Sequence, residues 1–394
     1  MTDLLPNSTF AAVDRALQGW IDRDQLPGVS YQVLRGGAPV ARQCLGWADR
    51  EARVPLREDH LFRIFSNTKL VTSCAALQLV EQGRIGIDDP VGDYIPALAK
   101  LRVLRPGATT LDDTEPAREP VRVRHLLTHT AGFTYGFLQP DAPIAKAHAA
   151  AGILDPMRDL AQMVDALGTL PLLFQPGSAW NYSVATDVAG RLVEVASGQP
   201  IDAYFARHIF EPLGMHDTFF VVPEAKAGRL AALYMGNLRE PLQPGLRRVD
   251  QLPYEGAYRK AVPRLNAGGG LVSSLDDYSR LIAALLQGGA PLLKPETMPL
   301  LLRNQLAPGQ WIGCPGIPFV EGRGHSFGAS VTVQPSAADP SSAEGDVQWG
   351  GLAATKWMFS PRDGIGMVLM TQRYMGSDLP FWPEFKQLVR DALA

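Results

Sequence analysis

Two hairpin signatures at opposite ends of the chain constrain the fold most. Near the start, Val29–Leu34 and Ala38–Leu45 are β-rich runs joined through Arg35-Gly36-Gly37. Near the end, Thr355–Phe359 and Ile365–Met370 flank Ser360-Pro361-Arg362-Asp363-Gly364, a turn that carries an Asp-Gly pair. Glycine turns between such runs predict antiparallel hairpins. The stretch between them reads differently. Helical patterns at 158–168, 185–197 and 201–209 alternate with loops rich in proline and glycine, and amphipathic helices are expected at 9–23 and 382–393. The simplest arrangement is an α+β fold, in which N- and C-terminal segments share one antiparallel sheet flanked by helices and a mainly helical region is inserted. The expected boundaries are 1–65 with 265–394 for the sheet domain and 66–264 for the helical domain, with the site in the cleft between them.

Ser66-Asn67-Thr68-Lys69 falls at that junction and opens an apolar run, Leu70–Val80. A serine and a lysine three residues apart on a helix share a face, so the amine can reach the hydroxyl. Serine is a weak nucleophile until a base takes its proton, and a lysine held out of water is such a base. The helix start adds free N–H groups and a positive dipole end, both suited to a developing oxyanion.

Composition narrows the function classes. The 394 residues are 46% hydrophobic, enough for a large core, and 37 basic against 40 acidic residues leave a formal net charge of -3 with no basic block. Nucleic acid is not an expected partner. The first residues lack a basic stretch followed by an apolar one, and no run is long enough to span a bilayer. Cys44, Cys74 and Cys314 are scattered and odd in number, which fits free thiols in a reducing, cytoplasmic setting.

Three further segments join Ser66 and Lys69: Trp180-Asn181-Tyr182-Ser183-Val184, Trp349-Gly350-Gly351-Leu352, and Val123–Gly132 with its His-Leu-Leu-Thr-His-Thr-Ala-Gly core. In order and spacing these resemble the serine β-lactamase and penicillin-binding-protein superfamily. Within it they are most similar to class C β-lactamase-like serine hydrolases of the family VIII carboxylesterase type and to related fungal acyltransferases. Phe210–Met215 and Ala267–Leu271 share the likeness, which runs from about Pro27 onward.

The resemblance implies a β-lactamase/transpeptidase-like fold and roles for single residues. Ser66 would be the acylated nucleophile, and Lys69 and Tyr182 the base and proton relay. The Ser66 and Leu352 N–H groups would form the oxyanion hole. Gly350 and Gly351 would leave room for substrate along the strand edge, with Trp349, Tyr135 and Trp180 as pocket walls or core aromatics. No metal or organic cofactor is implied. Two departures bear on the substrate. Val184 stands where the class C enzymes carry the asparagine of Tyr-x-Asn, and Trp349-Gly350-Gly351 replaces their Lys-Thr-Gly. Both favour a neutral ester over a lactam carboxylate. The expected activity is hydrolysis of short-chain acyl esters through a Ser66 acyl-enzyme. An acyltransferase, an amidase or weak β-lactamase, and a non-catalytic binding protein of this fold are the alternatives.

Other motifs compete. Gly324-His325-Ser326-Phe327-Gly328 is a formal G-x-S-x-G, yet a strand-like pattern over 327–333 follows it where a helix is needed, and no histidine comes after His325. His125 and His129 have helical metal-ligand spacing without the intervening glutamate of zinc hydrolases, so packing hydrogen bonds are expected there. Asp187, one turn after Tyr182, either bonds to backbone or orients the site.

Overall fold

In the computed structural model, which describes residues 4–337 and 339–394, both hairpins form. Strands β1 (Gly28–Arg35) and β2 (Ala38–Asp49) are joined by Gly36 and Gly37 at φ +58° and +84°. Two consecutive positive φ values make the tight turn whose twist matches the strands, and they require glycine at low cost. A short edge strand, β3 (Val54–Pro55), follows. From the far end come β4 (Arg323–His325), β5 (Ser330–Thr332), β6 (Val347–Gly350), β7 (Lys356–Ser360) and β8 (Ile365–Met370). The order across the sheet is β4-β5-β6-β7-β8-β1-β2-β3, each pair antiparallel. Strand β8 lies against β1 from Ser30↔Met370 to Arg35↔Ile365, so the two ends of the chain meet at mid-sheet.

Alternation along the strands makes two buried faces. Met358, Met367 and Leu369 face one way, with Tyr31 and Val33, onto Val13, Leu17 and Trp20 of helix α1 (Ala11–Asp22) and Phe381 and Phe385 of the C-terminal helix (Phe381–Leu393). Trp357, Phe359, Val368 and Met370 face the other way, into the larger core. There they join helix α2 (Thr68–Glu81), whose residues Thr68–Leu79 are all buried, as apolar side chains spread around the whole helix require. Helix α3 (Ala185–Ser197) is capped by Gly198 in the left-handed region, and α4 (Leu275–Leu286) starts at Ser274, whose side chain accepts from Asp277 N at 3.2 Å. We number the C-terminal helix α5.

The stretch 66–264 also carries short strands, Arg102–Leu104 with Thr114–Pro116 and Tyr234–Met235 with Arg247–Arg248. The expected helix at 201–209 is Ile201–Phe205 followed by a wider π turn, Ala206–Phe210. Among the described residues no helix is long and apolar enough to cross a membrane.

Candidate active site

Ser66 sits in one 3-10 turn, Phe65–Asn67, just ahead of α2, and not within the α-helix itself. Phe65 has a φ of +42°, strained for a bulky side chain, and its ring is clamped edge-on by Tyr258 and Tyr374 with centroids 5.8 and 5.7 Å away. Lys69 lies one turn on, 2% exposed. Its Nζ donates to Ser66 Oγ at 3.4 Å, to Tyr135 OH at 3.2 Å and to the Gly268 carbonyl at 2.6 Å. An ammonium has three N–H donors and no acceptor, and all three are placed.

Tyr182 reaches the same serine from the segment before α3, its hydroxyl donating to Ser66 Oγ at 2.6 Å. Neighbouring Asn181 fixes that segment, since its N–H goes to the His129 carbonyl at 2.9 Å and its side chain to the Phe133 carbonyl at 2.9 Å. Lys69 Nζ also stands 4.7 Å from the centroid of the Tyr182 ring. Ser66 Oγ is thus the shared acceptor of an amine and a phenol, an arrangement able to move the serine proton.

The fourth segment arrives from the sheet. Gly351 has no room for a side chain. A Cβ there would fall 2.2 Å from the Ile64 carbonyl oxygen and 2.4 Å from Thr355 Oγ1. Thr355 Oγ1 donates to that carbonyl at 3.3 Å and accepts from Asn67 Nδ2 at 3.1 Å. The space over Gly351 is filled by protein rather than kept for substrate, and this docks the 351–355 turn onto the serine loop. Neither Ser66 N–H nor Leu352 N–H donates to another group among the described residues. At Gly350 the three atoms nearest to such a Cβ all belong to the Lys356 side chain.

Aromatic rings wall the serine. Trp349 is half-buried with its centroid 5.6 Å from that of Tyr182, and Trp180, 5% exposed, stacks behind Tyr182 at 6.2 Å. The Tyr135 ring stacks on the exposed Phe137 at 5.0 Å while its hydroxyl points to Lys69. Val184 is fully buried. His129 and His325 pack edge to face at 5.4 Å beside this wall. Burial, then the neighbouring His325 and Lys69 charges, hold His129 well below the usual imidazole range, and burial brings His325 down to about 4. Both are neutral near pH 7.

His125 and His129 do not share a helix. The helix ends at Leu127 and His129 has a φ of +58°. His125 Nδ1 accepts from Arg122 N at 3.1 Å, and His129 Nδ1 meets Ser183 Oγ at 3.2 Å. Among the described residues no group of histidine, cysteine, aspartate and glutamate side chains is arranged to hold a metal. Ser326 is buried, and its Oγ donates to the Ala329 carbonyl at 3.2 Å. Gly268 was missed as a site residue by the sequence reading. Its signals are the glycine run Gly268-Gly269-Gly270 within the family-like segment Ala267–Leu271 and the need of a buried lysine for acceptors.

Known proteins share this framework. A family model described as Beta-lactamase matches residues 13–389. Esterase EstB from Burkholderia gladioli is 33% identical, over 92% of this chain and 90% of that one. The structure of EstCE1, described as a hydrolase with promiscuous acyltransferase activity, superposes with a TM-score of 0.81 at 27% identity, covering 97% of this chain and 98% of that one. The LovD6 mutant of simvastatin synthase from Aspergillus terreus gives 0.80 at 25% identity, covering 99% and 97%. The chain therefore belongs to the Beta-lactamase family and is a serine hydrolase with the class C β-lactamase-like, α+β fold.

Proposed function

We propose that the protein is a carboxylesterase acting on short-chain acyl esters. The observation that carries this is the convergence of Lys69 Nζ and Tyr182 OH on Ser66 Oγ, 3.4 and 2.6 Å away. Ser66 Oγ attacks the ester carbonyl and its proton passes to the Lys69–Tyr182 pair, in the form of that pair that has first given up one proton, as neutral amine or as phenolate. The oxyanion is held by the Ser66 and Leu352 N–H groups, each worth about 3–4 kcal/mol to the transition state. As the carbonyl re-forms, the C–O bond to the alcohol breaks and the pair returns the proton to the leaving oxygen. Water then attacks the acyl-enzyme, giving up a proton to the same pair, and the acid leaves. Buried Val184 offers no side-chain partner to a lactam's amide and the Trp349 ring none to its carboxylate, which supports a neutral ester. The likeness to EstB supports the ester class. The likeness to simvastatin synthase favours a second reading, in which an alcohol replaces water as acceptor. We place the protein in the cytoplasm on its three unpaired cysteines, and take 65/66 and 264/265 as the domain boundaries.

The test is hydrolysis of p-nitrophenyl acetate and butyrate by the wild type, Ser66→Ala and Ser326→Ala. Activity is expected to vanish at Ser66→Ala and to persist at Ser326→Ala. The reverse result overturns the reading, and ester products in the presence of added alcohols would favour the transferase.

A further inference from the structure

The mechanism above leaves one carboxylate in the site unused. Asp187, on the first turn of α3, is completely buried. Its Oδ1 accepts from the Gly268 N–H at 3.3 Å and lies 3.9 Å from Arg264 Nη2. Its Oδ2 has no hydrogen-bond partner among the described residues. A buried carboxylate oxygen left open is costly, so a donor is to be sought nearby.

Gly268 shows where that oxygen faces. A Cβ built on Gly268 would meet Asp187 Oδ2 at 2.8 Å and Tyr135 OH at 3.0 Å, so the carboxylate and the phenol flank the same side of this glycine. Tyr135 oxygen already accepts from Lys69 Nζ at 3.2 Å, which leaves its own proton to give. Burial first, and then the Asp187 charge, hold Tyr135 well above the ordinary phenol range, so it stays protonated. The two tyrosines on Lys69 thus differ. Tyr182 donates to Ser66, while the Tyr135 hydroxyl lies on the side of Gly268 that the open carboxylate oxygen also flanks.

We infer that Asp187 is a positioning residue for Lys69. It fixes both groups that grip the amine from behind, Gly268 through its N–H and Tyr135 through its O–H, and so leaves the third N–H of Lys69 aimed at Ser66. This rests on the Ser66–Lys69–Tyr182 reading proposed above.

The experiment follows labelling of Ser66 by an alkyl fluorophosphonate in the full chain. Ser66 Oγ bonds phosphorus, fluoride leaves, and the serine proton goes to the Lys69–Tyr182 pair. The rate therefore reports serine activation apart from turnover. The variants are Asp187→Asn, Tyr135→Phe and the double, with thermal melting measured beside them. Asparagine can still offer Gly268 an oxygen but presents an NH2 group to Tyr135. Each single variant is expected to label roughly tenfold more slowly, and the double no more slowly than either, since both break one link. Single variants within twofold of wild type, or losses that multiply in the double, overturn the inference. If Asp187→Asn fails to fold, Tyr135→Phe decides alone, because its ring keeps its packing. Labelling of Ser66→Ala as fast as wild type would instead sink the nucleophile reading, and this one with it.

Discussion

Gly350 and Gly351 are adjacent, and the sequence suggests one purpose for both. Their surroundings separate them. An added methyl at Gly350 first meets the Lys356 side chain, 2.8 Å from its Cδ and 3.0 Å from its Nζ, the far end of a flexible side chain rather than backbone. At Gly351 it meets the Ile64 carbonyl at 2.2 Å, backbone that leads directly into Ser66. Gly351→Ala is expected to push the 351–355 turn off the serine loop and lower kcat about 100-fold or more, the loss that follows removal of one oxyanion donor. Gly350→Ala is expected to keep kcat within about threefold, as for a change that reaches no fixed group. Kinetics on folded protein check both, and equal effects would contradict the assignment. Phe65 makes the same point. Its strained φ leaves no mark in the sequence, since the rings packed against it, Tyr258 and Tyr374, lie far along the chain.

Elements were legible where periodicity and turn chemistry agreed. Ala185–Ser197 and Phe381–Leu393 carry clean apolar stripes and form the expected helices. The strand expected over 327–333 shrinks to Ser330–Thr332, because Gly328 turns at φ +139° and Ser326 N bonds back to the Ala329 carbonyl at 2.8 Å. Alternation reports side chains and is blind to such a turn. Also illegible was Lys386, a fully buried cation on α5. Its Nζ donates to both Asp339 carboxylate oxygens at 2.9 Å and to Ser342 Oγ at 2.6 Å, and Arg323 pairs with the same carboxylate. This network ties α5 to the β4–β6 edge of the sheet. Asp339→Ala strands Lys386 without a counter-charge and is expected to cost roughly 3–5 kcal/mol in denaturant unfolding. Lys386→Met leaves Asp339 its arginine and is expected to cost less. The opposite ranking would show that the network does not hold the helix.

At the scale of the whole molecule, buried histidines set the response to acid. Burial lowers His125, His148 and His325 each from 6.5 to about 4. Unfolded chain therefore takes up protons before folded chain does. This contribution is complete above pH 6.5 and is lost as pH falls from there towards 4. The melting temperature is expected to drop steadily between pH 7 and 4.5, ahead of most carboxylate titration. A flat profile from pH 7 to 5 would contradict these burials. Much of the general architecture was readable, since both hairpins and the Ser66, Tyr182 and Trp349 segments carry local signatures. What joins them was not, because Gly268, Thr355 and Asn67 act through partners hundreds of residues away.

The pairing of β1 with β8 also bears on how the molecule comes into being. These central neighbours lie more than three hundred residues apart in sequence, so the sheet closes late and the chain is a slow folder by topology. A nascent chain that has left the ribosome as far as α3 already holds the serine, the lysine and the tyrosine. It lacks Leu352 and the strands that carry it to Ser66. On the proposed mechanism, biosynthesis itself keeps the hydrolase silent until β6–β8 fold back onto strands made long before.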